Sequence, residues 1–392
     1  PQVMLPFQVV ERVSFGHPTL EPNRLFWGDN LHVMRQLPSE SIDLIYIDPP
    51  FFSGRQYNVI FGDQNELRSF SDIWEGGMPG YLIWLNARLY EMKRLLKKTG
   101  SICVHLDWHA NHYVKVELDK IFGYENFLNE IIWCYTKPST SKAKNLPRAS
   151  DAILFYARQK GQHDFFPDEI RVPYNEKTKA NYKKGLKGSG TLYDGEPKDD
   201  EGILDDRGKI PPNWWELAVS GRFPKGTDNN IGYPTQKPNS LLERIIKLTT
   251  SPNDIVADFF CGGGSASAAA QRLGRRWIAC DQSRVAVAIT ADRLTRQVEE
   301  QTGKMFPVSD FTVEHWGIYE ARRLAEAPSE QFRGFVLRAF GAVPEEHEEG
   351  IHGYKGAIPV WVGEPDQKKA VTAADVQAFA NAMRKTLRYK QD

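Results

Sequence analysis

The sequence predicts an α/β fold built on a mostly parallel sheet, and two observations carry that prediction. Continuous apolar runs of strand length recur at residues 42–47 (IDLIYI), 101–106 (SICVHL) and 255–260 (IVADFF), separated by stretches of helical period. Strands buried on both faces read this way, and such burial belongs to parallel sheets flanked by helices. Residues 255–281 also run strand, glycine turn, small-residue helix, strand and terminal acid, the order of a nucleotide-binding βαβ unit. At 392 residues the chain is too long for one ordinary domain and predicts two or three.

In chain order, the first strand covers residues 25–27 and ends at Gly28-Asp29, and a helix follows over 31–37 with Leu31, Met34 and Leu37 on one face. The run 42–47 breaks at Asp48-Pro49-Pro50, because proline neither donates to a ladder nor sits in a helix interior. Asp48 is therefore expected at a strand's carboxyl end. After a glycine-containing loop over 52–80, Leu82, Leu85, Leu89, Met92 and Leu96 predict a helix over 81–98 closed by Gly100, followed by a strand over 101–106. A helix over 109–121 precedes two short apolar runs, 131–135 and 152–156, expected to pair at a sheet edge.

Periodicity fades over about 157–230, which reads as an inserted module or long loop. Residues 136–190 carry twelve Lys or Arg against five Asp or Glu, whereas 194–206 is acidic. A phosphate-tracking surface and a solvated loop both fit that pattern. A helix over 241–248, a strand over 255–260, a helix over 265–273 with side chains small enough to approach a sheet closely, and a strand over 277–280 ending in Asp281 complete the periodic part. Beyond 300 a charged helix near 318–327 and a helical segment from Ala373 are expected.

Composition sets limits. With 41% hydrophobic, 26% charged and 12% aromatic residues, disorder throughout is excluded. Fifty basic residues balance fifty acidic ones, so affinity for a polyanion must come from local patches. No apolar run approaches the roughly 20 residues of a membrane helix. Residues 1–10 lack the charged start and apolar core of a signal peptide, so a soluble intracellular protein is expected. Cys103, Cys134, Cys261 and Cys280 are scattered without a CxxC pair, and free thiols are expected, with neither a zinc site nor a disulfide framework.

Two constellations carry chemistry. In VADFFCGGGSASAAAQRLGRRWIACD, Gly262 and Gly264 let backbone approach a ligand, and Asp281 at the next strand's tip can accept hydrogen bonds from a ribose diol. The spacing departs from GxGxxG, because serine stands at 267 where glycine or alanine is wanted. The turn is entered as DxFxGxG through Asp258 and Phe260, which suits a nucleoside with a charged amino-acid tail better than a pyrophosphate and points to S-adenosylmethionine. The second constellation, Asp48-Pro49-Pro50-Phe51, has a chance expectation of about 0.02 in a chain of this length. An exocyclic amino group on a base is a poor nucleophile because its lone pair is delocalised into the ring. The Asp48 carboxylate and Pro49 carbonyl can accept both of its N–H bonds and favour a pyramidal nitrogen, while Phe51 offers a face for a flipped base. An Asp-Pro strand terminator is the bland alternative. This chemistry needs no metal.

The segments GDNLHVMRQLP, LIYIDPPF, YPTQKP and DFFCGGGSA, in that order, resemble the beta class of amino-group DNA methyltransferases. Intervening text such as GSICVHLDW, FLNEIIW and LGRRWIACD is similar to type III modification subunits. The resemblance covers roughly residues 24–295 and implies a circularly permuted, seven-stranded, Rossmann-like methyltransferase sheet beginning near strand three. Its implied parts are an N-terminal extension (1–23), a catalytic half (24–135), a target-recognition insert including sheet-edge strands (136–232), a cofactor-binding half (233–300) and a small C-terminal α/β domain (301–392).

Carried over by residue, the resemblance implies Asp48, Pro49, Pro50 and Phe51 at the target amine, and Asp258, Phe260, Gly262, Gly264 and Ser265 around the methionyl part of S-adenosylmethionine. It implies Asp281 at the ribose, Asp29 near the adenine ring, and Thr235 with Lys237 near the cofactor's amino-acid end, Lys237 as carboxylate partner. A helix cap for Asp29 and an exposed side chain for Lys237 remain open. Double-stranded DNA is the implied substrate of a cytoplasmic, nucleoid-associated enzyme, with a homodimer and a cognate restriction nuclease as candidate assemblies. Phe259 stands where the family has proline, Ser265 where it has threonine and Phe51 where tyrosine is commoner. Aspartate at the head of the catalytic motif favours adenine N6 over cytosine N4 as a tendency of the family. A non-catalytic DNA-binding protein is the alternative of another class.

Near the C-terminus, GIHGYKGAIPVWVGEPD followed by VTAADVQAFANAM is similar to the core of Mrr-like restriction endonuclease domains. His352 stands where that core has an acid, and Trp361-Val362-Gly363 lacks its lysine, so a degenerate copy that does not cleave DNA is expected, with an unrelated small domain as the alternative. For the basic stretch, neutralising Lys183, Lys184 and Lys187 is expected to weaken DNA binding and flatten its salt dependence by about 0.9 in slope per lost phosphate contact. Binding titrations over a salt series measure this, and an unchanged slope would make the stretch a solvated loop.

Overall fold

The computed structural model describes residues 7–15, 21–50, 76–136, 144, 146–176, 178, 206–233, 236–301 and 309–315, with scattered positions between 330 and 380. Its elements are β1 (Gln8–Val13), β2 (Asn23–Trp27), α1 (Asn30–Gln36), β3 (Ile42–Ile47), α2 (Gly77–Leu95), β4 (Leu96–Leu106), α3 (Asn111–Phe122), β5 (Phe127–Cys134), β6 (Ser150–Ala157) and β7 (Trp214–Glu216). They continue with α4 (Asn239–Thr249), β8 (Ile255–Asp258), α5 (Ser265–Arg272), β9 (Arg276–Asp281), α6 (Arg284–Gln301), β10 (Phe311–His315), β11 (Val343–Pro344), β12 (Gly353–Lys355) and β13 (Ile358–Val360).

One ten-stranded sheet runs in the order β1-β10-β2-β9-β8-β3-β4-β6-β5-β7. β2, β9, β8, β3 and β4 are parallel to one another, β6 is antiparallel to both β4 and β5, and β7 is parallel to β5. The seven strands from β2 to β5 form the permuted sheet that the resemblance implies, and β1, β10 and β7 extend it at its edges. From β3 the chain moves to β4 on one side, and from β8 to β9 on the other, so the order reverses between β3 and β8. A crevice opens outside the carboxyl ends of the strands at such a point, and ligands bind there.

β3 is the centre of this arrangement, with all six residues buried. The one acid in the strand, Asp43, is 4% exposed and is fully used: its carboxylate accepts from Lys97 Nζ at 2.8 and 2.9 Å and from the Ile255 amide at 2.9 Å, joining β3 to its neighbours β4 and β8. On α5, Ala266, Ala268, Ala269 and Ala270 are buried, as the close approach of a small-residue helix requires. The packed face of α4 consists of Leu241, Leu242, Ile245, Ile246 and Leu248, all buried in the main core.

The helix expected over 81–98 stops at Leu95 instead, because Leu96 aligns with Ile42 in the sheet and Lys97 reaches Asp43. Gly100 is not a helix terminator but a strand residue. A Cβ there would lie 2.8 Å from the Asp43 carbonyl and 2.9 Å from that of Ile42, so only glycine permits the approach. β7 lies inside the stretch that reads as irregular. It is three residues long and buries only Trp215, too little for a period to register. Lys183, Lys184 and Lys187, the helix near 318–327 and the start of the segment at Ala373 lie outside the described residues.

The chain divides into a large unit, Glu11–Val313, and a small one made of Pro1–Val10 and Glu314–Asp392. Within the small unit β11, β12 and β13 form an antiparallel sheet, and Leu337, Ala342 and Val362 cluster. His352 donates its amide to the Val360 carbonyl at 2.9 Å, and its Nδ1 accepts from the Val362 amide at 3.0 Å. That nitrogen is occupied in holding backbone. Among the described residues no helix is long and apolar enough to cross a membrane.

Asp43→Ala would leave the Ile255 amide and the Lys97 ammonium without their acceptor. A loss of about 2–3 kcal/mol is expected, read as a lower denaturation midpoint with unchanged slope.

Candidate active site

Parallel strands bring their carboxyl ends to one edge, and here they bring acids. Asp48 follows β3, Asp258 ends β8, Asp281 ends β9, and Asp29 lies two residues beyond β2. Asp258 is 4% exposed, and its Oδ1 accepts from the Phe260 amide at 3.0 Å. Burial, reinforced by the charges of Asp48 and Asp281, pushes its carboxyl up to about 8, against the opposing hydrogen bond from the Phe260 amide and the charge of Lys237. Asp281 accepts from the Gly262 amide at 2.9 Å on Oδ2 and from the Ser283 amide at 2.9 Å on Oδ1. Burial raises its carboxyl as well, and those amides oppose the shift.

The glycine turn between β8 and α5 is held from outside. Gly262 and Gly264 take φ of 49° and 70°, and Gly264 is the residue before α5. A Cβ on Gly264 would meet Thr290 Cγ2 at 2.6 Å, and one on Gly262 would meet the Tyr233 ring at 3.1 Å. The Thr290 hydroxyl donates to the Gly262 carbonyl at 2.9 Å. Buried Arg293 donates from Nη1 to the Gly263 carbonyl at 2.9 Å and to Ser265 Oγ at 3.0 Å, and from Nε to Asp228 at 2.6 Å. Asp228 also pairs with Arg272 and accepts from Asn239 at 2.8 Å. Burial alone would raise its carboxyl, but the two arginines hold it below the usual range. Ser265 thus serves the turn's anchorage.

Asp29 caps α1, accepting from the Leu31 amide at 2.8 Å, and takes a two-pronged hydrogen bond from Arg88 at 3.0 and 3.2 Å. Arg88 also donates to Asn30 at 2.6 Å, and Asn30 donates to the Phe259 carbonyl at 2.8 Å, which links the end of β2 to the glycine turn. Phe260 faces Trp84, their ring centroids 5.7 Å apart, with the Arg88 guanidinium 4.2 Å over the Trp84 ring.

Asp48 is the meeting point. Its Oδ2 is paired with Lys237, which is 8% exposed, so Lys237 is neither solvent-exposed nor remote from the catalytic motif. Its Oδ1 has no hydrogen-bond partner among the described residues and lies 3.9 Å from Nδ1 of buried His105. Pro49 is buried and Pro50 half-buried. Phe51 and Thr235 lie outside the described residues.

Among the described residues the structure therefore brings Asp48 with Lys237, Asp258, Asp281 and the turn carrying Phe260, Gly262 and Gly264 to the carboxyl-end edge of three adjacent strands. Sequence reasoning missed Asn30, Arg88, His105, Asp151, Asp228, Tyr233 and Arg293. His105 carried a signal, a histidine inside the apolar run SICVHL, because a polar group in a buried strand needs a partner. Arg88 and Arg293 carried none, since an arginine on a helix reads as solvated until its partners are known.

The DNA methylase family, N6/N4 type, matches residues 42–292, more than half of the chain. The chain is 26% identical over 271 residues to the DNA adenine methyltransferase YhdJ of Escherichia coli (strain K12), covering 68% of this chain and 80% of that protein. It is 26% identical over 340 residues to the Mod subunit of the type III restriction-modification enzyme StyLTI of Salmonella typhimurium, covering 66% of this chain and about half, 52%, of that subunit. The PvuII DNA methyltransferase (cytosine-N4-specific) aligns in structure with a TM-score of 0.49 at 17% identity, over 74% of this chain and 94% of that one.

An acid whose folded value is raised, as that of Asp258 is from 3.8 to about 8, binds more protons folded than unfolded between those limits. Its contribution to stability is present below the lower value and lost as pH rises through the upper one. In the ligand-free protein, the melting temperature of Asp258→Asn minus that of wild type is expected to grow over this range. A difference independent of pH would refute the assignment.

Proposed function

The chain belongs to the DNA methylase family, and on that premise we propose that it methylates adenine N6 in double-stranded DNA, taking the methyl group from S-adenosylmethionine and reaching the base by flipping it out. The observation that carries this is the adjacency of two groups at the sheet's reversal point: the Asp48-Pro49-Pro50 tip of β3 and the acid-flanked glycine turn after β8. The donor set fits the cofactor. Two carboxylates raised by burial, Asp258 also by the charges of Asp48 and Asp281, favour a ligand that is cationic and rich in N–H and O–H donors. The glycine turn packs tightly against Tyr233 and Thr290, which fixes the backbone that follows Asp258.

In this reading Asp258, Phe260, Gly262 and Gly264 hold the methionyl part, Asp281 the ribose and Asp29 the adenine side. When bound, the cofactor supplies an electrophilic methyl group. Asp48 and the Pro49 carbonyl accept the amine's N–H bonds, which localises the nitrogen lone pair and orients it. The rigidity of two successive prolines keeps that carbonyl from retreating. Residues 136–232 supply target recognition. Adenine is favoured by aspartate at the head of the catalytic motif and by the name of YhdJ, an adenine methyltransferase. Cytosine N4 is the second reading, because the matching family spans both.

Digesting methylated DNA to nucleosides and weighing the modified base separates the two readings. Asp48→Ala is expected to lower methyl transfer by about two to three orders of magnitude while leaving cofactor binding, read by titration calorimetry, largely intact. Near wild-type turnover would remove Asp48 from the mechanism.

A further inference from the structure

We infer that His105, held by Asp151, is a positioning residue that acts through Asp48 and takes up the proton released when the amine is methylated. The inference rests on the proposed role of Asp48. His105 lies on β4 with no exposed surface, and its ring nitrogens face different partners. Nε2 is 3.3 Å from Asp151 Oδ2, and Nδ1 is 2.9 Å from the Tyr46 hydroxyl and 3.9 Å from Asp48 Oδ1. Trp133 packs edge-on against the imidazole, with 5.6 Å between centroids. Asp151, on β6, also accepts from the Tyr135 hydroxyl at 3.1 Å.

A carboxylate only accepts, so Asp151 places a proton on Nε2 and leaves Nδ1 as the basic nitrogen, turned toward Tyr46 and Asp48. A general base is oriented in this way when a buried carboxylate holds its far side. Burial would raise the Asp151 carboxyl, but the hydrogen bond from His105, with help from Tyr135 and Lys237, keeps it below the usual range and therefore ionised. Tyr46 is held as a phenol, its ionisation opposed by burial and by the charges of Asp48 and Asp258. Its hydroxyl can donate to Nδ1 and rotate when that nitrogen gains a proton.

In methyl transfer a nitrogen–carbon bond forms, a sulfur–carbon bond breaks with its electron pair left on sulfur, and the nitrogen is left with one proton to lose. Asp48 is the nearest acceptor; its Oδ2 is taken by Lys237 and its Oδ1 faces His105. The proton passes from nitrogen to Asp48 Oδ1 and on to His105 Nδ1, where Asp151 stabilises the imidazolium. A shift of about 1 Å brings the 3.9 Å separation within hydrogen-bond range. Among the described residues, Cys103 on β4 and Asp258 at the end of β8 also act on Tyr46, and Asp107 just beyond β4 acts on Tyr135.

The test is single-turnover methylation of DNA across a pH series, with dissociation constants for DNA and S-adenosylmethionine measured in parallel. His105→Gln is expected to lower the rate about 100-fold without changing either constant, and to remove the acid limb of the wild-type pH profile. Asp151→Asn, nearly isosteric, is expected to lower the rate about tenfold and alter the same limb. It decides the matter if His105→Gln does not fold. Wild-type rate and pH profile in the folded variants would overturn the inference, as would a rate loss with an unchanged profile, the mark of a merely structural role. A wild-type protein that methylates no amino group in DNA would instead overturn the reading of Asp48 on which the inference rests.

Discussion

Carboxylates of like charge gathered at the tips of neighbouring strands are the constraint to which the rest of the large unit answers. Asp48, Asp258 and Asp281 follow or end β3, β8 and β9, which lie side by side. Burial drives Asp258 up to about 8, and it raises Asp281 too. In the free protein this works against folding, because desolvation penalises the charge on Asp258 and Asp281, and at Asp258 the charges of Asp48 and Asp281 add to the penalty. Backbone amides of Phe260, Gly262 and Ser283, and the ammonium of Lys237, make the cluster tolerable. The same unfavourable field attracts a cationic ligand and hydrogen-bond donors, so the cost to stability and the capacity to bind have one origin.

Anchors outside the crevice keep the cluster from relaxing. Arg293 and Asp228 grip the glycine turn from behind, and the Asp29, Arg88 and Asn30 chain ties it to the end of β2. β3 carries an Asp–Lys pair at each end, and the two differ in a telling way. At the amino end both Asp43 oxygens are occupied, by Lys97 and the Ile255 amide, which is how a structural carboxylate is satisfied. At the carboxyl end Asp48 keeps Oδ1 without a partner among the described residues, facing His105. An incompletely satisfied buried acceptor is costly, and in a folded protein it marks a place where a substrate or a proton is expected.

How much the sequence determined depends on how local the cause is. The apolar run 42–47 fixed β3 to the residue, because burial on both faces leaves no choice of pattern. Prolines 49 and 50 ended it, and the glycines between Asp258 and Asp281 marked a second strand tip, each signal local to its own stretch of chain. Asp29 as a helix cap was legible from its position before Leu31. The errors were just as physical. The helical pattern of α2 continues through Leu96, but pairing with β3 claims that residue, and Gly100 answers to the carbonyls of Ile42 and Asp43 and not to a helix end.

Only the tertiary structure decided who pairs with whom inside the crevice. Lys237 and Asp48 are 189 residues apart, Arg293 and Asp228 are 65 apart, and His105 meets Asp151 across two antiparallel strands. Nothing near Lys237 in the chain distinguishes a buried counter-ion from an exposed lysine, since the distinction lies in what the sheet order brings opposite it. The sequence by itself determined which segments become strands and where their acidic tips fall, because backbone propensity and burial act over a handful of residues. The electrostatics of the site were decided by folding, because charges act through space and their partners come from distant parts of the chain.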